Sequence, residues 1–121
     1  MIEGVAWLDE FEESIRAYLD PPKTLKELQE GASTRKKGYD VYHIVEQTPA
    51  EQDKFPRSMI DAPENRVRIP RYKHWEINGW YGRPNDAFGN QSPREYLRGK
   101  DWDTRVRVGM QALIKYGVLK P

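Results

Sequence analysis

The sequence contains two histidines, His43 and His74. A neutral imidazole is the natural proton acceptor near pH 7. Asn78 follows His74 by four residues, so on a helix both side chains project from one face and can share a divalent cation. An imidazole with a carboxamide suits Mg²⁺, Mn²⁺, Zn²⁺ or Ni²⁺ and does not choose among them. Together these groups could serve phosphodiester hydrolysis. That reaction needs a base to take a proton from water, a cation to stabilise charge building on the phosphate, and contacts that orient the phosphate. His43 could be the base, the His74/Asn78 pair could hold the cation, and Arg66, Arg68 or Arg71 could contact the phosphate. Taken singly, a histidine in a strand is more often structural, and Asn65 after Pro63-Glu64 can be a plain turn residue. The combination is what points to chemistry.

The elements around these residues must bring them together. Tyr39 to Val45 is rich in aromatic and β-branched residues and reads as a strand that carries His43 near its end. Arg66-Val67-Arg68-Ile69 alternates polar and apolar and reads as a second strand. Pro70 stops that strand and can open a helix, expected from about Arg71 to Tyr81, with His74 in its first turns. Between the strands lies a long polar connection, 47–64, with three prolines. It is too long for a plain hairpin loop, which hints at function or a small insertion.

Helices are expected on both sides of this unit. Ile2, Val5, Leu8, Phe11, Ile15 and Leu19 recur at three- and four-residue steps, which predicts an amphipathic helix over 2–19, ended by Asp20-Pro21-Pro22. Thr24 with Glu27 forms a capping-box pattern for a short second helix closed by Gly31. Residues 32–38 are small and basic and read as a loop. After a Gly-, Pro- and Asn-rich loop over 82–91, Ser92-Pro93-Arg94-Glu95 opens a short helix that Gly99 ends. A last helix is expected from about Trp102 to Tyr116, with Val106, Met110 and Leu113 on one face. Trp75, Trp80 and Tyr81 are expected to be core residues pinning the metal-bearing helix. Arg94, Arg98, Lys100, Arg105 and Arg107 read mainly as solvated helix charge, with a phosphate-binding face as the sharper alternative. Glu46 reads as exposed or paired with an arginine.

Bulk properties set limits. A length of 121 residues suits one domain. With no cysteine, disulfides, thiolate zinc sites and a cysteine nucleophile are excluded. No apolar run approaches a membrane span, and the acidic, mixed N-terminus does not read as a signal peptide. The chain is expected to be soluble, either cytoplasmic or the cut-out end of a longer exported protein. The net charge of +1 hides an asymmetry. Residues 1–31 carry eight acids and three bases, and residues 32–121 carry eleven acids and seventeen bases. Phosphate binding needs local positive potential, not a basic whole.

The segment Gly38-Tyr39-Asp40-Val41-Tyr42-His43-Ile44-Val45-Glu46-Gln47 resembles the first strand of HNH (His-Me finger) nucleases, and more closely the bacterial toxin subset with a His-His-Ile-Val-Glu motif. Glu64-Asn65-Arg66-Val67-Arg68-Ile69-Pro70 resembles the second motif segment. Lys73-His74-Trp75-Glu76-Ile77-Asn78 resembles the helix. The family spacing, Asn, eight residues, His, three residues, His or Asn, is met by Asn65, His74 and Asn78. The resemblance spans about residues 38–81 and does not extend to residues 1–30. It implies that His43 is the general base, that His74 and Asn78 are metal ligands, and that Asn65 ties the connecting loop and holds the base in place. One position departs. The family has histidine or aspartate, normally a metal ligand, where this chain has Tyr42, and a phenol with pKa about 10 is a poor ligand at pH 7. Metal affinity and activity should fall.

The resulting expectation is an α+β fold, a ββα-metal finger over 38–82 embedded in helices, with an N-terminal helical segment (1–37) and C-terminal helices (83–121) of the same domain. The resemblance implies a metal-dependent endonuclease of low sequence specificity acting on DNA, with RNA a weaker possibility. It also implies one divalent metal ion, delivery as a bacterial toxin, and a cognate immunity protein as partner. The acidic N-terminal helix could be a linker to a delivery module or part of the immunity surface. Two alternatives stand beside this: a catalytically degenerate finger that binds DNA or the immunity protein, and a plain helical interaction domain.

Overall fold

The structure, a computed structural model, describes residues 2–121, with side chains from residue 10 onward. It is a mixed α+β chain in which two antiparallel strands and the helix after them sit among shorter helices. The first strand, β1 (Tyr39–His43), pairs with β2 (Arg66–Pro70) so that Tyr39 faces Pro70 and His43 faces Arg66. The helix α5 (Arg71–Tyr81) follows β2 directly, because Pro70 cannot extend the ladder and suits the entry to a helix. Before β1 come α1 (Ile2–Tyr18) and α2 (Leu25–Gly31); after α5 come α6 (Pro93–Tyr96) and α7 (Trp102–Lys115). Among the described residues, no helix is long and apolar enough to cross a membrane.

Period-two alternation fixes the sheet's buried face. Val67 and Ile69 are fully buried, while Arg66 and Arg68, which alternate with them, are partly exposed. On β1, Tyr42 is buried and Val41 is exposed. The buried face joins Ile77, Trp80 and Tyr81 of α5 and Val108, Ala112 and Leu113 of α7 in one core. Each such large apolar side chain contributes about 1.5–3 kcal/mol on burial. Thr24 caps α2 in a complete capping box with Glu27, and Ser92 and Asp101 cap α6 and α7. The chain end is tied back: Lys23 and Leu119 form a parallel bridge, with Lys23 N–H donating to Val118 O and Lys120 N–H to Lys23 O, each at 2.9 Å.

The connection between the strands is not plain loop. It contains α3 (Gln47–Gln52), α4 (Arg57–Ile60) and a 3-10 turn, Pro63–Asn65. The three prolines that read as loop residues sit at helix starts: Pro49 in the first turn of α3, Pro56 before α4, Pro63 opening the turn. There a missing N–H costs no hydrogen bond. Ala50 and Ile60 from this segment build a second small core with Val45.

Two packing expectations are corrected. The stripe predicted to bury α1 is largely outward: Phe11, Ile15 and Leu19 are 43%, 41% and 75% exposed, whereas Ser14 and Ala17 are 2% exposed. Ile2, Val5 and Leu8 lie outside the residues with described side chains. Small residues carry the contact because α1 runs very close to the start of β1. Gly38 has φ +85°, and a Cβ there would stand 2.6 Å from the Glu13 carbonyl oxygen. The second correction concerns Trp75, which is 62% exposed and lies against Tyr72 with ring centroids 5.1 Å apart. Trp80 and Tyr81 are core, as the pattern predicts.

Arg105, among the residues weighed as surface charge, is buried at 2% exposure. Its guanidinium pairs with Asp53, donates to Lys100 O at 2.9 Å and lies over the Phe55 ring. This ties α7 to the segment after α3.

α7 approaches the backbone just after β1 at Gly109, where an added Cβ would be 2.2 Å from the Ile44 carbonyl oxygen. Backbone, not a flexible tip, is the obstacle. Gly109→Ala is therefore expected to destabilise the fold by about 1–3 kcal/mol, despite alanine's better helix propensity. Urea unfolding followed by circular dichroism measures this; an unchanged or raised midpoint would refute the close approach.

Candidate active site

The end of β1, the start of α3, one face of α5 and α6 border a cleft of about 850 Å³. Tyr42, His43, Glu46, His74, Asn78 and Arg94 line it. Two imidazoles and a carboxamide far apart in sequence thus share one cavity. α5 presents His74 and Asn78 one turn apart, and β1 places His43 just past the exposed Val41.

Asn65 lies behind the cleft, 4% exposed. Its Oδ1 accepts from Val45 N–H at 2.8 Å, and its Nδ2 donates to Val45 O at 3.2 Å and Ile60 O at 2.9 Å. Its own carbonyl accepts from Ile44 N–H at 2.9 Å. One side chain therefore fastens the end of β1 to the end of α4 and holds the backbone beside His43.

Burial lowers the pKa of His43 below the usual histidine value, with Asp61 pulling the other way. The neutral ring is the form present at pH 7. Its Nε2 is 3.4 Å from Asp61 Oδ1 without hydrogen-bond geometry. Asp61 is itself fixed by Arg57, whose Nε and NH2 donate to its two oxygens at 2.8 and 3.0 Å. With Nε2 turned to Asp61, Nδ1 is the nitrogen left to take a proton. His74 is oriented differently. Its Nδ1 is 3.0 Å from Asp40 Oδ2, while Asp40 Oδ1 accepts from Arg71 Nε at 3.3 Å. Nε2 is then the nitrogen available to a ligand.

A guanidinium shares the cleft. Arg94 grips Glu46 through Nε at 3.0 Å and NH2 at 2.6 Å, and NH2 also donates to Asn78 Oδ1 at 3.1 Å. Glu46 in turn raises the Arg94 pKa further, so the cation is permanent.

Tyr42 is 5% exposed. Desolvation, with Tyr81 beside it, pushes its pKa well above the usual phenol value. Its hydroxyl has no well-formed hydrogen bond, and its ring meets that of His74 edge-on at 5.5 Å. It stays a neutral phenol.

These properties test the donor set for a metal. Among the described residues, no group of three or more His, Cys, Asp or Glu side chains is placed to hold one. His74 and Asn78 line the same cleft, with Asn78 Oδ1 also accepting from Arg94 NH2, so a cation held by this pair would take most of its ligands from water.

The three arginines read as phosphate contacts do not line this cleft. Arg66 sits opposite His43 on the paired strand, with its Nε buried and unpartnered. Arg68 donates to Thr34 O at 2.9 Å and lies over the Tyr39 ring. Arg71 holds Asp40. Arg94 and Arg98 line the cleft instead.

Sequence reading passed over Asp40 and Asp61. Asp40 had a usable signal, because it stands two residues before Tyr42 on the same strand face, toward the helix that follows β2. Asp61 had none, since its place depends on α4, which the prolines concealed. The partner of Glu46 needed the three-dimensional fold, being 48 residues away.

No protein-family model, curated protein or solved structure matches the chain.

Proposed function

We propose that the chain is a metal-assisted phosphodiester hydrolase: an HNH-type endonuclease acting on DNA with little sequence selectivity, of the bacterial-toxin kind, countered by an immunity protein. What supports the reading is the convergence of His43, His74, Asn78 and Arg94 in one cleft formed by a strand–strand–helix unit.

In this mechanism neutral His43 takes a proton from the attacking water at Nδ1. Asp61, at ion-pair distance from Nε2, stabilises the imidazolium that forms. His74, with Nδ1 committed to Asp40, and Asn78 would hold the divalent cation. When bound, it supplies Lewis-acid stabilisation of charge on the phosphate and the leaving oxygen. Arg94, fixed by Glu46, adds a second positive charge beside the phosphate. Tyr42 contributes shape and dryness, not coordination.

The neutral, buried phenol at a position where the family has a ligand favours one other reading, a degenerate finger that binds DNA or the immunity protein without cutting.

Plasmid degradation with Mg²⁺, Mn²⁺, Ni²⁺ or Zn²⁺, with and without chelator, separates the two. Cleavage is expected to be weak and chelator-sensitive. His43→Ala should lower it by about 10²–10⁴-fold, and Tyr42→His, which supplies a third protein donor, should raise it. No cleavage with any of the metals, by this chain or by Tyr42→His, would overturn the hydrolase reading.

The pH dependence follows from the His43 environment. Its pKa is lowered, so protonation silences the base only at acid pH, and the acid limb of kcat/KM should have its midpoint below 6.5. Asp61 raises that pKa. Asp61→Asn should therefore move the midpoint still lower while reducing the maximal rate. A midpoint above 6.5, or one indifferent to Asp61→Asn, would remove His43 as the base.

A further inference from the structure

The cleft is electrically balanced. Arg94 is held by Glu46, and Asp53, which is paired to Arg105, lies beside Arg98. A polyanion gains little there from net charge. A second groove of about 520 Å³ adjoins it across β1. Among the described residues Arg35, Lys36, Arg68 and Arg71 line it against Glu10 and Asp40, an excess of base. Asp40 is already paired to Arg71 and His74. Val41, 45% exposed, lines both the cleft and the groove.

We propose that this groove is the anchoring site for the phosphate backbone of a polynucleotide whose scissile bond lies in the cleft, which rests on the hydrolase reading above. Asp40 joins the two cavities, one oxygen on His74 in the cleft and the other on Arg71 in the groove. β1 runs along both. From Tyr39 to His43 the strand advances about 13 Å, equal to about four base pairs of duplex rise. Phosphates held by the 34–37 loop thus lie a few nucleotides from the reacting bond. The loop residues Arg35 and Lys36 are exposed, Lys36 lies over the Tyr39 ring at 4.9 Å, and Arg68 tethers the loop through Thr34 O. The basic side chains are therefore presented from a fixed position on the rim. Phosphate contacts of this kind position a nucleic acid without reading its sequence, consistent with a nuclease of low selectivity.

The test uses the Arg35→Glu/Lys36→Glu double variant of the full chain, with Arg35→Gln/Lys36→Gln as the milder form in case charge reversal perturbs the loop. Duplex binding is read by fluorescence anisotropy in the His43→Ala background without divalent metal. Hydrolysis is read with duplex DNA and with bis(p-nitrophenyl) phosphate, a substrate too small to reach the groove. Duplex Kd and KM are expected to rise at least about tenfold, and the slope of log K against log salt to fall by about 0.9 per lost contact. Hydrolysis of the small ester should be unchanged. Duplex binding equal to that of the natural loop would overturn the groove while leaving the hydrolase standing. So would equal loss on both substrates, or displacement only by polyglutamate, which would mark an acidic protein partner. Charge-dependent duplex binding with no hydrolysis of either substrate would retain the groove and sink the hydrolase.

Discussion

The site depends on one buried carboxamide. The strands that form the floor of the cleft are separated by more than twenty residues of chain, and a two-stranded ladder alone is marginal in water. Asn65 closes that excursion by satisfying both backbone groups of Val45 and the carbonyl of Ile60. Buried backbone groups without partners cost about 1–3 kcal/mol each, so no apolar residue of similar size could replace it cheaply. The constraint sets the exit of β1, and with it the direction of His43. It also seats the small core of Val45, Ala50 and Ile60, against which the α3 wall of the cleft is built.

Within that frame, each polar group of the cleft is held by a second one. His43 has Asp61 and Arg57 behind it; His74 has Asp40 and Arg71; Asn78 has Arg94 and Glu46. The pairs leave little net charge but fix orientation, which preorganised electrostatic stabilisation requires. Asymmetry between the two imidazoles then assigns their roles. The more deeply buried ring, with its carboxylate out of hydrogen-bond line, stays neutral and basic. The ring with a well-placed carboxylate on Nδ1 offers an oriented lone pair on Nε2. In the proposed hydrolase the two histidines of one cleft would therefore do different work because their surroundings differ.

The elements that carry the site were legible in the sequence, because their signals are local. β2 shows clean alternation and ends at Pro70; α5 spans Arg71 to Tyr81 in the structure, where Pro70 and Gly82 predict it; the capping residues Thr24 and Ser92 act where they stand. The histidine and amide spacings likewise needed only helix geometry. What stayed hidden was settled by tertiary contact. α3 and α4 are too short to show periodicity, and their prolines mimic loop. The face of α1 was misassigned because apolar spacing reports a stripe but not whether a neighbour covers it, while Ser14 and Ala17 win the contact through small size. Arg68 and Arg71 line the neighbouring groove and not the cleft, because strand alternation turns Arg68 from the core and Asp40 holds Arg71.

Tyr42 shows how burial decides what a position can do. Its hydroxyl is out of contact with water and beside another phenol, so ionisation would bury a charge with the Glu46 carboxylate nearby. The cost of that charge is why the phenol cannot ligate a cation. The same desolvation acts oppositely on an imidazole, for which burial disfavours the protonated, non-ligating form. A site that silences a tyrosine would thus favour a histidine in its metal-binding state. In the proposed hydrolase, Tyr42→His would change the donor set from two protein groups to three, and with it the class of metal that set suits.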